Sequence, residues 1–439
     1  MTVQKRNETL SRGGTRAKAL LGVVVGLIAV LTLWPLAGSA GPGGIWCFGC
    51  GSIGTLDLVN NLLLFAPLGV ILAARDWRLS RAMAAGLLFS GAIEGLQFIA
   101  IPGRDASPSD LVMNTLGTAA GWIAWARAGQ WLRPSPAAGR WWTVAAGVVF
   151  AGVLAGTGWL LLPSTPPEPL FGQWAPRRPP MTQYRGRIVS FEIAGHEVPH
   201  SPVPDANALR AAIGRRQAVA LIETVTGTPP DAPGAMIGRL VAIDNEMFML
   251  AQRGDALLGR FRLRASDLRL RTLSLMVPAS FRPDERVRVE GGYDGSSLVL
   301  RVVRPDGVIA RALPLRVSLG WAFVRPAEIP LGAWHPWVSA LWVGLLGLPL
   351  GFYGASAAQP AGRQQGWSWL FAVSVAAAAV VAGLGGAAWL TAAAPSTWTD
   401  WAGAALGVFA GWQLRRLIDR SEASAGRAGV AATAGPGRA

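Results

Sequence analysis

Residues Ala19–Gly38 contain no charged side chain, and seven further runs of similar apolar character recur along the chain. A bilayer-spanning helix needs about 20 mostly apolar residues, because no backbone polar group can stay unpaired in hydrocarbon. The runs are Ala19–Gly38, Leu56–Ala74, Ala82–Ile101, Leu111–Ala126 and Trp141–Leu162, then Pro336–Tyr353, Trp367–Ala392 and Trp401–Leu414; the fourth and the last are short. They predict a multispan α-helical membrane protein of about eight spans. Lys5, Arg6, Arg12, Arg16 and Lys18 precede the first run. A basic stretch before an apolar run is also the pattern of a cleaved signal peptide. The length of this run and the spans that follow favour a retained anchor.

Loop charges set the orientation, since short cytoplasmic loops carry the excess of Lys and Arg. Arg75, Arg78 and Arg81, then Arg127, Arg133 and Arg140, then Arg363, then Arg415, Arg416, Arg420, Arg427 and Arg438 all fall on one side. The opposite loops 39–55 and 393–400 hold no basic residue, and 102–110 holds only Arg104. Both termini are expected in the cytoplasm of a bacterial inner or plasma membrane, with 163–335 outside. The net charge of +15 would by itself invite a nucleic-acid partner. Most of it lies in the cytoplasmic segments, where orientation and anionic lipid account for it. The bilayer is the partner it implies, and nucleic acid is excluded. Of the 20 tryptophans, only Trp174 and Trp321 lie well inside the segment between the fifth and sixth runs. The others sit in or beside spans, as amphipathic rings at the headgroup level do.

The expected organisation is a basic cytoplasmic N-terminus (1–18), a five-span block (19–162), an extracytoplasmic domain (163–335), three C-terminal spans (336–414) and a cytoplasmic tail (415–439). The outer domain alternates apolar and polar residues in Arg187–Ile193, Ala218–Val225, Met236–Ile243, Met247–Gln252, Leu257–Leu263, Arg286–Gly291, Ser297–Val303 and Val308–Val317. Period-two runs separated by turn residues predict an antiparallel β-sandwich.

Charged and amide side chains inside spans are expensive, yet the first block holds several. Asp57, Asn60 and Asn61 open the second span, Glu94 and Gln97 share a face of the third, and Arg104, Ser107, Ser109, Asp110 and Asn114 follow, with Gly117 and Gly121 on the face of Asp110 and Asn114. Two readings stand. One is an outward-facing polar pocket, with Arg104 pairing a phosphate or carboxylate and Glu94 as an acid or base of raised pKa. The other is interhelical glue. The patterns D-x-x-N-N-x-x-x-F-x-P-x-G, E-x-x-Q and R-x-x-S-x-S-D-x-x-x-N-T-x-G-x-x-x-G, in that order over about Leu56–Trp125, resemble the VanZ-like family of multispan membrane proteins. That family is named for a protein associated with resistance to the glycopeptide teicoplanin. The resemblance implies a cell-envelope role without specifying a reaction.

Asp110-x6-Gly117-x3-Gly121-Trp122 recurs as Asp400-x6-Gly407-x3-Gly411-Trp412, and the run Leu62–Gly69 parallels Gly344–Gly351. The last three spans are either a decayed copy of spans two to four or a coincidence of Ala-, Gly- and Leu-rich helices. If they are a copy, Asn114 has become Ala404, and any chemistry lies in the first set.

His196-Glu197-Val198-Pro199-His200 matches the H-E-x-x-H zinc motif letter for letter. That motif needs both histidines on one helical face, and Pro199 inside it disfavours a helix. A solvated loop is expected, with no metal. The strands of 184–318, with Phe248-x-Leu250-x-Gln252 and Arg260-x-Arg262-x-Arg264, resemble the concanavalin A-like/laminin G-like jelly-roll sandwich. This implies glycan or protein binding, sometimes with calcium, although no calcium loop is evident. Cys47 and Cys50, in a loop expected to face outward, fit either a local disulfide or free thiols. The expected function is binding of a glycan, lipid-linked precursor or protein at the outer face, without a cofactor. The rivals are an enzyme acting on a lipid-linked saccharide and a transporter, both working through the polar set.

Overall fold

The computed structural model describes residues 3–34, 53–101, 107–231, 233–243, 245–325, 334–358 and 364–433. The chain forms two compact units, residues 1–134 with 268–270, and residues 135–267 with 271–439.

The first unit is helical: α1 (Val3–Leu33), α2 (Gly54–Ala74), α3 (Leu79–Ala100), α4 (Pro108–Ala126) and the short α5 (Ala128–Leu132). Local chemistry fixes the start of α4. The Ser107 hydroxyl accepts from the Ser109 N–H at 3.3 Å, and Pro108 occupies the first turn, where a missing N–H costs nothing. Phe65, Leu68 and Leu72 of α2 pack with Ile28 of α1 and with Ala82 and Ile93 of α3 in one apolar core. The outward surface is equally apolar. Leu88 and Ile99 on α3 are 74% and 82% exposed, which suits hydrocarbon rather than water.

The second unit opens with α6 (Pro136–Leu160), passes through two sheets and returns to helix. Its first long helix after the sheets is α10 (His335–Ala357). Next, α11 (Gln364–Val381) runs through a π-helical turn (Ala382–Gly386) into α12 (Ala387–Leu390), followed by α13 (Trp398–Thr433). The sequence groups α6 with the N-terminal helices, but in the structure it packs against α10 and α11. Phe150 and Leu154 of α6 pack with Leu384 in the π-helical turn, Val343 and Leu350 of α10 and Ala404 of α13.

Gly54–Ala74, Leu79–Ala100, Pro136–Leu160, His335–Ala357 and Gly366–Leu390 are long and apolar enough to cross a membrane. The other three expected spans are helical but fall short of that standard. The apolar part of α1 is the shorter Lys18–Leu33. Helix α4 is diluted by Ser109, Asp110, Asn114, Thr115 and Thr118, and the apolar part of α13 runs into Arg415 and Arg416.

The two helical sets repeat one another in detail. A methyl group at Gly117, Gly121 or Gly69 would collide with the carbonyl of Leu62, Ala66 or Thr118 across the α2–α4 contact. The same holds across α10–α13 for Gly407 on Gly344, Gly411 on Leu348 and Gly351 on Val408. All three pairs occupy corresponding positions of the two sequence patterns. Pro67 and Pro349 sit inside α2 and α10 at matching places. Thr397 and Thr399 share a hydroxyl contact of 2.8 Å at the start of α13, as Ser107 and Ser109 do at 2.6 Å before α4. The α10–α13 contact thus matches the α2–α4 contact position by position, and α6 packs on α10 and α11 as α1 packs on α2 and α3.

The first sheet runs β1 (Leu170–Trp174), β6 (Ala235–Ala242), β7 (Asn245–Arg253), β8 (Ala256–Phe261), β9 (Ser274–Val277), with β2 (Thr182–Gln183) also on β6. The second runs β12 (Gly307–Pro314), β11 (Ser297–Arg304), β10 (Arg286–Asp294), β5 (Val219–Val225), β3 (Arg187–Ile193), β4 (His196–Glu197). These strand pairs are antiparallel apart from two-residue β2, which lies parallel to β6. The sheets stack face to face. Gly238 meets Ile222 and Phe191, Gly259 meets Leu300, and the Phe191 and Phe248 rings lie 6.4 Å apart. Three short helices complete the unit: α7 (Ala206–Gly214), α8 (Arg264–Asp267) and α9 (Trp321–Val324), the last preceded by a 3-10 turn at Val317–Gly320. That turn ends the final expected strand three residues early. Helix α7 buries Leu209, Ala212 and Ile213, a one-sided stripe too short to stand out in the sequence.

The sheets are fastened to the helices of their own unit. Buried Arg216 donates to the carbonyls of Thr391, at 3.0 Å, and Ala392, just beyond the end of α12. A cation is favoured at a helix C-terminus. Arg316 Nε donates to the Pro395 carbonyl at 3.2 Å, and the Ala394 N–H donates to Leu315 at 2.8 Å.

Candidate functional site

Helix α3 carries Ser90, Glu94 and Gln97 along one stripe, spaced four and three residues apart. Helix α4 presents Asn114 opposite that stripe, with Ser107, Ser109 and Asp110 at its start. The Asn114 amide Nδ2 donates to Ser90 Oγ at 2.8 Å. The Ser107 backbone N–H donates to Glu94 Oε2 at 2.8 Å, so a carboxylate from α3 receives one of the unpaired donors at the start of α4. Gln97 Nε2 donates to the Thr32 carbonyl at 2.9 Å and ties α3 to α1. Ser90, Ser109, Asn114 and Gln97 are all buried, while Glu94 and Asp110 are half-buried.

Asn114 is 2% exposed, and its Oδ1 has no hydrogen-bond partner among the described residues. Leaving a buried acceptor unsatisfied costs about 1–3 kcal/mol. Glu94 and Asn114 thus each hydrogen-bond a serine across the α3–α4 contact, with Asp110 in the first turn of α4 where the helix dipole favours an acid. Asn60 and Asn61 are half-buried and Asp57 exposed on α2, and no hydrogen bond joins Asn60 or Asn61 to the α3–α4 set among the described residues. Arg104, Cys47 and Cys50 lie outside the described residues. Ser90 was not singled out from the sequence. Its spacing, one turn before Glu94 on the same face, is the signal that could have found it.

The α10–α13 set shows which of these groups such packing needs. Counted back from the matching helix starts, Glu94 and Gln97 correspond to Leu384 and Ala387, Asn114 to Ala404, and Asn61 to Val343. All four replacements are buried in one apolar cluster. The glycine–carbonyl contacts are nevertheless the same in both sets. The α10–α13 contact thus forms with apolar residues where the α2–α4 set has polar ones. The polar groups do join α3 to α4, whereas α11 leans on α6 and α10.

In the second unit, His196 and Glu197 form β4, paired with Ile193 and Glu192. His200 Nδ1 accepts from the Trp174 N–H at 3.1 Å. The H-E-x-x-H letters are therefore strand and turn, and the two histidines do not share a helical face. Among the described residues, no group of three or more His, Cys, Asp or Glu side chains could hold a metal ion.

Five membrane-length helices and a two-sheet insert define a multi-pass membrane protein. Residues 20–129 match the VanZ/LLP1 family model, so the first helical unit is VanZ-like. No curated protein and no solved structure matches the chain.

Proposed function

We propose that this protein acts in the bacterial cell envelope by binding the saccharide headgroup of a lipid-linked component at the outer ends of α3 and α4. The observation that carries this is the buried Oδ1 of Asn114 beside Ser90, which has no partner among the described residues. Helix joining alone would be met by a serine or alanine there, as Ala404 meets it in the α10–α13 set. The described groups are rich in acceptors: the Glu94 and Asp110 carboxylates, the Asn114 carbonyl and three serine hydroxyls. A ligand bearing many hydroxyl donors suits them. Arg104, on the loop between α3 and α4, would supply a cation for a phosphate linkage.

The reading takes all eight helices as spans, with both termini cytoplasmic and 163–335 outside. A transporter built on repeats would place polar ligands from both copies at its site, and the apolar α10–α13 set favours binding instead. The two six-stranded sheets support the jelly-roll likeness, and the insert is read as a second outer-face binding element for glycan or protein. Its described aromatic side chains are buried or half-buried, apart from Trp334 beside the start of α10. Any glycan would therefore meet hydrogen-bonding groups rather than exposed rings.

The test is binding of a lipid-linked saccharide to purified wild type, Glu94→Gln and Arg104→Ala, with membrane abundance measured alongside. Lost binding at unchanged abundance supports the proposal. Unchanged binding, or loss that follows abundance, refutes it.

A further inference from the structure

Between Glu168 and Glu192 the chain carries four arginines, Arg177, Arg178, Arg185 and Arg187, and no acidic residue. Arg177 and Arg178 sit on a loop whose two ends are both fixed at β6. The Ala175 N–H donates to the Ile237 carbonyl at 2.8 Å, and the Thr182 N–H donates to that of Gly234 at 2.9 Å. The side chains of Arg177 and Arg178 are exposed, with no hydrogen bond or ion pair among the described residues. Arg185 differs, since it pairs with Asp231 at 2.9 Å. A surface cavity of about 540 Å³ follows this segment, lined by Arg177, by Arg185 and by Pro179–Tyr184 between them.

Another cation lies close by. Arg239, on β6, is 8% exposed. Its Nε donates to Gln173 Oε1 at 2.6 Å, but its buried Nη1 makes no hydrogen bond and stands 4.0 Å from Glu246 Oε2. Burial lowers the Arg239 pKa, the charge of Arg178 lowers it further, and Glu246 opposes them. Arg178 is therefore near enough to repel Arg239. Holding like charges together costs energy that a shared anion would offset. The guanidinium fork suits the paired oxygens of a phosphate or carboxylate. The protein's own bilayer is a distant source of such groups. Ala235, beside the loop, pairs with Gln252, and Gln252 pairs with Leu257. Further along the same segment, Leu263 bridges to Pro163, just beyond α6. Extended chain from Leu257 to Leu263 spans about 20 Å at about 3.3 Å per residue. That exceeds the Debye length of about 8 Å at physiological salt.

We infer that Arg177 and Arg178, with the charge of Arg239 beside them, bind the phosphate or carboxylate groups of an acidic glycan. The inference rests on reading the insert as an outer-face binding element and narrows what that element takes. The test is binding of polygalacturonate, phosphomannan and neutral mannan to the purified full chain in detergent. Retention of an acidic chain and not of mannan is expected, and the acidic chain retained identifies the anion. Arg177→Ser/Arg178→Ser should weaken it at least tenfold with the melting temperature retained. Arg282→Ser/Arg286→Ser removes the same charge from exposed arginines already paired with Asp306 and Glu223, and should leave binding unchanged. Equal loss in the two double variants, or displacement by an equal charge of phosphatidylglycerol, overturns the proposal. Equal binding of mannan overturns it while sparing the reading of the insert, and binding of none of the three overturns both.

Discussion

Replacing Asn114 by alanine writes into the first helical unit the residue that the second carries at Ala404, and the two readings of the polar set then diverge. Two terms decide the stability. The lost bond to Ser90 is a side-chain hydrogen bond between helices, worth on average about 0.6 kcal/mol in membrane proteins. Against it, the substitution removes an unsatisfied buried acceptor whose presence costs about 1–3 kcal/mol. The freed Ser90 hydroxyl can turn to a carbonyl of its own helix. The balance is near zero or favourable, with a loss of at most about 1 kcal/mol. For a chain this long, that moves the melting temperature by no more than about 4 °C. Thermal unfolding of detergent-solubilised wild type and Asn114→Ala measures it. A fall of more than about 10 °C would show that Asn114 holds α3 to α4 and would refute the reasoning.

The duplicated glycine contacts predict matched failures: Gly121→Leu and Gly411→Leu should each cost about 3 kcal/mol or more, since a backbone carbonyl cannot yield as a side chain can. Gly156→Leu on α6, where nothing lies within 4 Å, should be neutral in the same membrane-abundance assay. Arg216→Met should cost about 2–4 kcal/mol by leaving the carbonyls of Thr391 and Ala392 without their charged donor, and hydrogen exchange should rise in 391–397. Desolvation raises the Asp306 carboxyl, but bonds and charges from Arg282 and Arg304 outweigh it and hold the group below its ordinary value. Such a group stabilises the fold above its unfolded pKa of about 3.9 and loses that contribution as pH falls through the folded value. The stability gap between wild type and Asp306→Asn should therefore be full at pH 7 and shrink below about pH 4; a constant gap would contradict it.

Helices were legible where hydropathy acts alone, as in α2, α3 and α10. The helices α4 and α13 were legible as elements, but their polar and basic residues hold them below membrane-length hydropathy. Strand positions followed period-two alternation in β3, β5 and β10, whereas β1 and β9 are short and escaped it. The grouping of α6 with α10 and α11 was invisible because a long insert separates them in sequence. The repeat showed in the spacing of Gly117 and Gly121, and the matching carbonyl contacts gave it physical content. Of the polar set, Glu94 and Asn114 announced themselves by the cost of burying them. Ser90 did not, because a serine in a helix is unremarkable until its partner is seen.

The most direct test of the headgroup site is a high-resolution structure of the full chain purified with its native lipids. The account predicts headgroup density within hydrogen-bond distance of Asn114 Oδ1 and Glu94, and no counterpart near Ala404 and Leu384. A closed α3–α4 contact with no density, and Asn114 satisfied by a protein group, would contradict it.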